Sequence, residues 1–117
     1  MRCVFVEKSD NFPLTYAAKN IDEGVRSDSR SGGMFTELAR PFLDCGGAVY
    51  GCALTPDFMA EHIRVESWDE FPKLRGSKYI QSSMVGVWTS LEEDLRAGIP
   101  VLFSGTPCQV AAVRSFA

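Results

Sequence analysis

The segment Ala48–Leu54 constrains the fold more than any other feature, because it is short, nearly uncharged and enclosed between Gly47 and Pro56. A run of that kind is the pattern of a β-strand covered on both faces, and two covering layers require further elements to supply them. Residues 61–67 read as its partner strand, and residues 101–104, Val-Leu-Phe-Ser, as another buried strand. Helices fit between and around these. From Gly33 onward Phe35, Leu38, Ala39, Phe42 and Leu43 recur at helical spacing, and the run stops at Gly46 and Gly47, where glycine can supply a left-handed cap. Pro41 inside that run argues for a kink or an end. Residues 84–97 put Val85, Trp88, Leu91 and Leu95 on one helical face, pair Glu92 with Arg96 four positions on, and close at Gly98. A last helical pattern runs through Val110, Val113 and Phe116. Residues 14–19 alternate weakly and suit a short strand, while residues 20–30 form a polar connection. The alternation predicts an α/β fold, a mixed or parallel sheet with flanking helices, as one domain over residues 1–117.

Composition permits such a core. The chain of 117 residues is 45% hydrophobic and 23% charged, as ordinary globular proteins are. At that length folding removes roughly 65% of the unfolded chain's surface from water. A net charge of -3 gives no electrostatic case for nucleic acid or an anionic membrane as a partner. The four cysteines, Cys3, Cys45, Cys52 and Cys108, lack the tight spacing of a zinc site or a disulfide framework. The apolar run after Arg2 is too short for a signal peptide, which makes the cytoplasm the expected compartment. The longest charge-free stretch, residues 97–113, contains Gly98, Pro100, Gly105 and Pro107 and reads as strand, loop and helix, so no membrane insertion is expected.

Two loops share a design in which small residues stand immediately before a helix. In Ser29-Arg30-Ser31-Gly32-Gly33 the hydroxyls can cap the helix, the glycines let an anion approach the backbone, and the first-turn amides point outward, an arrangement suited to phosphate. A capped helix after a flexible loop accounts for the same residues. Ser104-Gly105-Thr106-Pro107-Cys108-Gln109 follows a strand at its carboxyl end, where open α/β sheets bind ligands. Here Thr106 can cap, Pro107 suits the first helical position, and Cys108 would lie in the positive field of a helix N-terminus, as a reactive thiol or as a small packing residue. Between them, Arg75-Gly76-Ser77-Lys78-Tyr79-Ile80-Gln81-Ser82 offers two cations, an aromatic ring and several hydroxyl or amide groups to a phosphate or a planar cofactor, or forms a solvated turn. His62, flanked by Glu61 and Arg64, reads as a structural or solvent-facing residue rather than a base.

Taken in order, Ser-x-Ser-Gly-Gly at 29–33, Gly-Gly-Ala-Val-Tyr-Gly at 46–51, His62-Ile-Arg, Leu-Arg-Gly-Ser-Lys-Tyr-Ile-Gln-Ser at 74–82 and Val-Leu-Phe-Ser-Gly-Thr-Pro-Cys-Gln at 101–109 resemble the coenzyme F-420 hydrogenase/dehydrogenase beta-subunit family. The resemblance runs from Tyr16 to Phe116 and leaves the first dozen residues unexplained. It implies a cytoplasmic flavoprotein with bound FAD, nearby 4Fe-4S clusters, and hydride exchange with coenzyme F-420 or an analogous donor or acceptor. By position it carries over Ser29, Ser31, Gly32 and Gly33 as a cofactor loop, Lys78, Tyr79 and Ser82 as a Lys-Tyr-x-x-Ser match, and Thr106, Pro107, Cys108 and Gln109 as a Gly-Thr-Pro-Cys-Gln match.

The chain departs from that family in one respect. Members commonly carry a CxxCxxC ferredoxin-like segment ahead of this region and further cysteine and histidine motifs after it, and neither occurs here. Cys108 is the one cysteine within a family motif, whereas a cluster takes four ligands. The expectation is therefore a fragment of a longer oxidoreductase, with cluster ligands supplied by a ferredoxin-like domain or other redox subunits. Two other readings stay open. One is a nucleotide-binding or interaction module with no chemistry of its own, and the other is a covalent role for Cys108.

Overall fold

The computed structural model describes residue 14 and residues 16–117. Its elements in chain order are helices α1 (Glu23–Ser29) and α2 (Met34–Leu43), strands β1 (Ala48–Leu54) and β2 (Ala60–Val65), a 3₁₀ turn (Phe71–Leu74), helix α3 (Trp88–Arg96), strand β3 (Val101–Phe103) and helix α4 (Pro107–Phe116). The sheet has the order β2-β1-β3, with β1 antiparallel to β2 and parallel to β3. This is an α/β architecture with a mixed sheet, as the sequence predicts. β1 is central, and the absence of charge along it follows from what its two faces meet. Val49 and Ala53 point into a cluster with Ala39, Leu43, Val65, Phe71 and Leu74, while Ala48 and Tyr50 point oppositely, toward Val87 and Leu91. Each fully buried side chain of this size contributes about 1.5–3 kcal/mol.

α2 runs through Pro41 to a glycine-made stop. The Gly47 N–H donates to the Phe42 carbonyl at 2.7 Å and the Gly46 N–H to the Leu43 carbonyl at 3.3 Å, with Gly46 at φ 78°. Those paired bonds form a Schellman motif, which reverses the chain directly into β1. The junction leaves no room: a Cβ on Gly47 would lie 2.5 Å from the Pro100 carbonyl oxygen and 2.8 Å from that of Phe42.

Four sequence expectations need correction. No strand occurs among the described residues of 14–19; Leu14 and Tyr16 are 82% and 80% exposed, and a strand without a ladder partner or a buried face has nothing to hold it. Thr15 lies outside the described residues. Residues 20–30 are not merely a connection, since they include α1. That helix buries no residue and shows no apolar period, and it is held by its ends: the Asp22 carboxylate accepts from the Val25 N–H at 3.1 Å, and Arg30 takes the left-handed conformation at φ 54°. α3 starts at Trp88 rather than at 84, leaving Val85 85% exposed. The cause is Ser83, whose N–H donates to Ala60 and whose carbonyl accepts from the His62 N–H, so the backbone there extends the edge of β2. β2 itself spans Ala60–Val65 rather than 61–67.

A buried ionic clamp fastens α3 to the sheet. Asp94 accepts from the Tyr50 hydroxyl at 2.7 Å on β1, and from Arg64 Nε at 2.7 Å and Nη2 at 3.0 Å on β2. The Arg64 hydrogen bonds hold the Asp94 carboxyl below its usual range against the opposing effect of burial, while burial and Asp94 together push the Tyr50 phenol up.

Candidate functional site

A groove of about 980 Å³, at the upper end of the range for small-molecule sites, runs past Gly51 and Cys52 of β1 to the loop that follows β3. Its wall includes Ser29, Ser31 and Gly33 from the first loop, Lys78, Tyr79 and Ser82 from the second, and Thr106, Cys108 and Gln109 from the third. Three segments far apart in sequence therefore face one space. Two residues of the predicted set, Gly32 and Pro107, are not on that wall. A Cβ on Gly32 would meet the Ala18 carbonyl oxygen at 3.0 Å, so its small size serves the approach of residues 18–19 rather than of a ligand. Pro107 opens α4, where a missing N–H costs nothing.

The first loop is shaped by Asn20, which is 5% exposed. Its N–H donates to the Gly32 carbonyl at 2.7 Å, and its Nδ2 donates to the Gly33 carbonyl at 3.4 Å and to Glu37 Oε1 at 2.7 Å. Gly33 sits at φ 72°, with Asn20 Cβ only 3.1 Å from where its own Cβ would be, so glycine is required twice over. The loop hydroxyls do not cap α2, contrary to the sequence expectation. Ser29 donates back to the Val25 carbonyl at 2.6 Å as part of α1, and Gly33 stands at the N-cap of α2 with no side-chain cap. Hydrogen bonds from Arg40 and then Asn20 hold the Glu37 carboxyl below its usual range.

In the second loop the Lys78 ammonium turns back on its own segment, donating to the Arg75 carbonyl at 2.8 Å and the Lys73 carbonyl at 3.1 Å. Burial lowers its proton affinity. Tyr79 is 96% exposed at the groove, an aromatic surface free to cover a ligand.

The second and third loops are tied together through His62. The Ser104 carbonyl, 2.9 Å from His62 Nε2, can only accept, so Nε2 carries the ring proton and Nδ1 accepts from the Ser82 hydroxyl at 2.8 Å. Ser82 Oγ in turn accepts from Gln109 Nε2 at 3.0 Å, and Gln109 Oε1 accepts from the Thr106 N–H at 2.9 Å. The ring stacks on Phe103 with centroids 5.1 Å apart. Burial depresses the His62 pKa, and the Ser104 carbonyl opposes that shift. His62 is thus a buried structural residue, in line with one arm of the sequence reading, and it forms part of the groove wall. Cys108, on the first turn of α4, is exposed, with Sγ 3.2 Å from Thr106 Oγ1.

Several groove residues escaped the sequence reading, namely Phe35 and Thr36 on α2 and Gly51 and Cys52 on β1, whereas Arg75, one of the two cations singled out in the second loop, does line the groove. Strand alternation could have flagged Gly51, since a glycine within a covered strand marks close approach. Thr36 carries no signal in the sequence, because a threonine inside a helix is ordinary. No family model matches the chain, and neither does any curated protein or solved structure.

Proposed function

We propose that this chain binds FAD in the groove and forms part of a cytoplasmic oxidoreductase of the F-420 beta-subunit type. The observation that supports it is the convergence of the three glycine-and-hydroxyl loops on one space, which a dinucleotide needs. The lining fits such a ligand: the first turn of α2 has no side-chain cap and can offer its amides to phosphate, while Ser82 and Gln109, whose donors are spent on His62 and on Ser82, present acceptor oxygens to the polar edges of a ring. When bound, FAD supplies hydride exchange with coenzyme F-420 or a similar small molecule and single-electron transfer to 4Fe-4S clusters held outside these residues. The residues of this chain bind, orient and shield. The His62–Ser82–Gln109 bonds fix the spacing between two walls, and Tyr79 can exclude water by folding over the ligand.

Titration of the protein with FAD, followed by gel filtration and a visible spectrum, tests the reading. Retention of a flavin band at stoichiometric amounts is expected; protein that stays colourless overturns it.

A binding module without chemistry is the alternative, which the same loops would serve; the engagement of both His62 nitrogens and of two Lys78 donors does not separate the two, because hydride exchange on a flavin needs no acid–base side chain. Reduction of the bound flavin by reduced F-420 or ferredoxin in the intact assembly separates the two readings. Flavin that binds yet is never reduced assigns the module.

A further inference from the structure

Four hydrogen bonds on the third-loop side of the groove run head to tail, and both ends are backbone groups whose roles are fixed. The Thr106 N–H can only donate, so Gln109 turns Oε1 toward it and Nε2 toward Ser82. The Ser104 carbonyl can only accept, so His62 carries its proton on Nε2 and takes the Ser82 hydroxyl hydrogen on Nδ1. The other Nε2 hydrogen of Gln109 points to the Ser82 carbonyl at 3.4 Å. The donor hydrogens of these three side chains are thus all spent among themselves and on the backbone, and what the side chains turn to the groove they line is oxygen lone pairs. From this direction of donation we infer that His62 is a positioning residue that sets the ligand specificity of this wall. Neutral, it makes Ser82 an acceptor, so the wall selects a ligand edge bearing an N–H or O–H, and protonation of His62 reverses that choice. The inference rests on the flavin reading only for the identity of the ligand so selected.

The reversal follows from where the hydrogens go. Protonation makes Nδ1 a donor, so Ser82 Oγ accepts from both Nδ1 and Gln109, and its own hydrogen turns outward into the groove. Gln109 cannot absorb the change by flipping, because its Nε2 would then face the Thr106 N–H and break the capping box of α4. The surroundings keep the ring neutral at ordinary pH. His62 is 4% exposed and stacks on Phe103, and burial lowers its pKa. No nearby group supplies a compensating negative charge. Cys52 stands opposite His62 on β1, Cys108 lies on the first turn of α4, and Lys78 shares the groove wall. Arg64, two positions along β2, is bonded to Asp94 of α3 and to Glu66, and Tyr50 of β1 donates to the same Asp94. Glu61, the neighbour of His62 in β2, points to the opposite face of the strand. Among the described residues no carboxylate lines the groove, whereas Arg30, Arg75 and Lys78 do.

His62 is the sole histidine, so its ring gives one set of NMR signals. The test begins with a pH titration of the labelled 117-residue chain, wild type and Ser82→Ala, by long-range proton–nitrogen correlation, which reports tautomer and pKa together. The Nε2–H tautomer is expected at neutral pH. In Ser82→Ala the His62 pKa should rise by about 0.5 or more, because the lost bond favoured the neutral ring. FAD binding is then measured calorimetrically about one pH unit above and about one below the wild-type midpoint. A ligand that donates to Ser82 favours neutral His62, so affinity is full above the midpoint of the free protein and declines below it. The acid-side loss should be about fivefold, the scale of one hydrogen bond. His62→Gln, whose amide can donate to Ser104 and accept from Ser82 without titrating, should show no such step. An Nδ1–H tautomer, or a His62 pKa unmoved in Ser82→Ala, overturns the inference, as does FAD affinity that stays constant or rises on the acid side. FAD that binds at neither pH removes the flavin reading and leaves the polarity of the wall to the tautomer. Far-UV circular dichroism checks folding, and where a variant or the acid condition unfolds the chain, the tautomer at neutral pH decides.

Discussion

Replacing Asp94 with Asn tests whether the ionic clamp, rather than apolar contact alone, fixes α3 to the sheet. The carboxylate, 5% exposed, receives three hydrogen bonds, two from Arg64 and one from Tyr50. Asparagine keeps the shape but offers one acceptor where two were used, and its amide meets a donor. With the asparagine oxygen in the place of Oδ2, the Arg64 Nη2 bond is lost, worth about 1.5–3 kcal/mol when charged, and the two that remain lose their charge assistance, about 1 kcal/mol each. The Arg64 side chain is 27% exposed and keeps Glu66 as a partner, so water and Glu66 recover part of that. A net loss of about 3 kcal/mol is expected, a large share of a typical 5–15 kcal/mol stability. In urea the midpoint should fall by about 1–2 M with an unchanged slope. The pH dependence makes the test specific. Asp94 titrates below its usual range in the folded state, so its contribution is present above the ordinary carboxylate pKa and disappears as pH falls through the lowered folded value. Wild type and Asp94→Asn should therefore differ at pH 7 and converge in strong acid. A difference under about 0.5 kcal/mol at pH 7, or one that persists unchanged at acid pH, would refute the clamp.

Three further outcomes follow from the same structure. Because burial depresses the His62 pKa, folding opposes its protonation. Stability should be full above the ordinary value of 6.5 and decline as pH falls below it, and thermal melts of His62→Gln should lose that slope. Gly47→Ala forces a Cβ against two carbonyl oxygens, both backbone, and should cost about 3 kcal/mol, visible as a melting temperature lower by about 10 °C or more. Phe58 occupies the left-handed region at φ 59° while 79% exposed, so Phe58→Asn should raise stability by about 1 kcal/mol in chemical denaturation.

The parts of the fold legible in the sequence are those where burial writes itself into residue type. β1 is covered on both faces and carries no charge, and its predicted limits coincide with the observed Ala48–Leu54. α2 shows its apolar stripe and its terminating glycines. The illegible parts are fixed by hydrogen bonds between positions that sequence spacing does not connect. α1 exists because Asp22 and Arg30 close its ends, with no buried face to announce it. The late start of α3 depends on Ser83 joining the edge of β2, a tertiary event that overrides the helical period of Val85.

The candidate site divides along the same line, and Asn20 shows why. It lies in a stretch that reads as polar linker, yet its backbone and side-chain bonds reach Gly32, Gly33 and Glu37. Its Oδ1 also accepts from the Asp22 N–H at 2.9 Å, at the residue that caps α1. One buried residue thus ties down the carbonyls of Gly32 and Gly33 and so sets the angle at which the chain enters α2. A glycine-rich turn before a helix is common and marks a site weakly. Here the turn is held by Asn20, thirteen residues before Gly33, and that tie belongs to the folded chain and cannot be read from the turn's own residues.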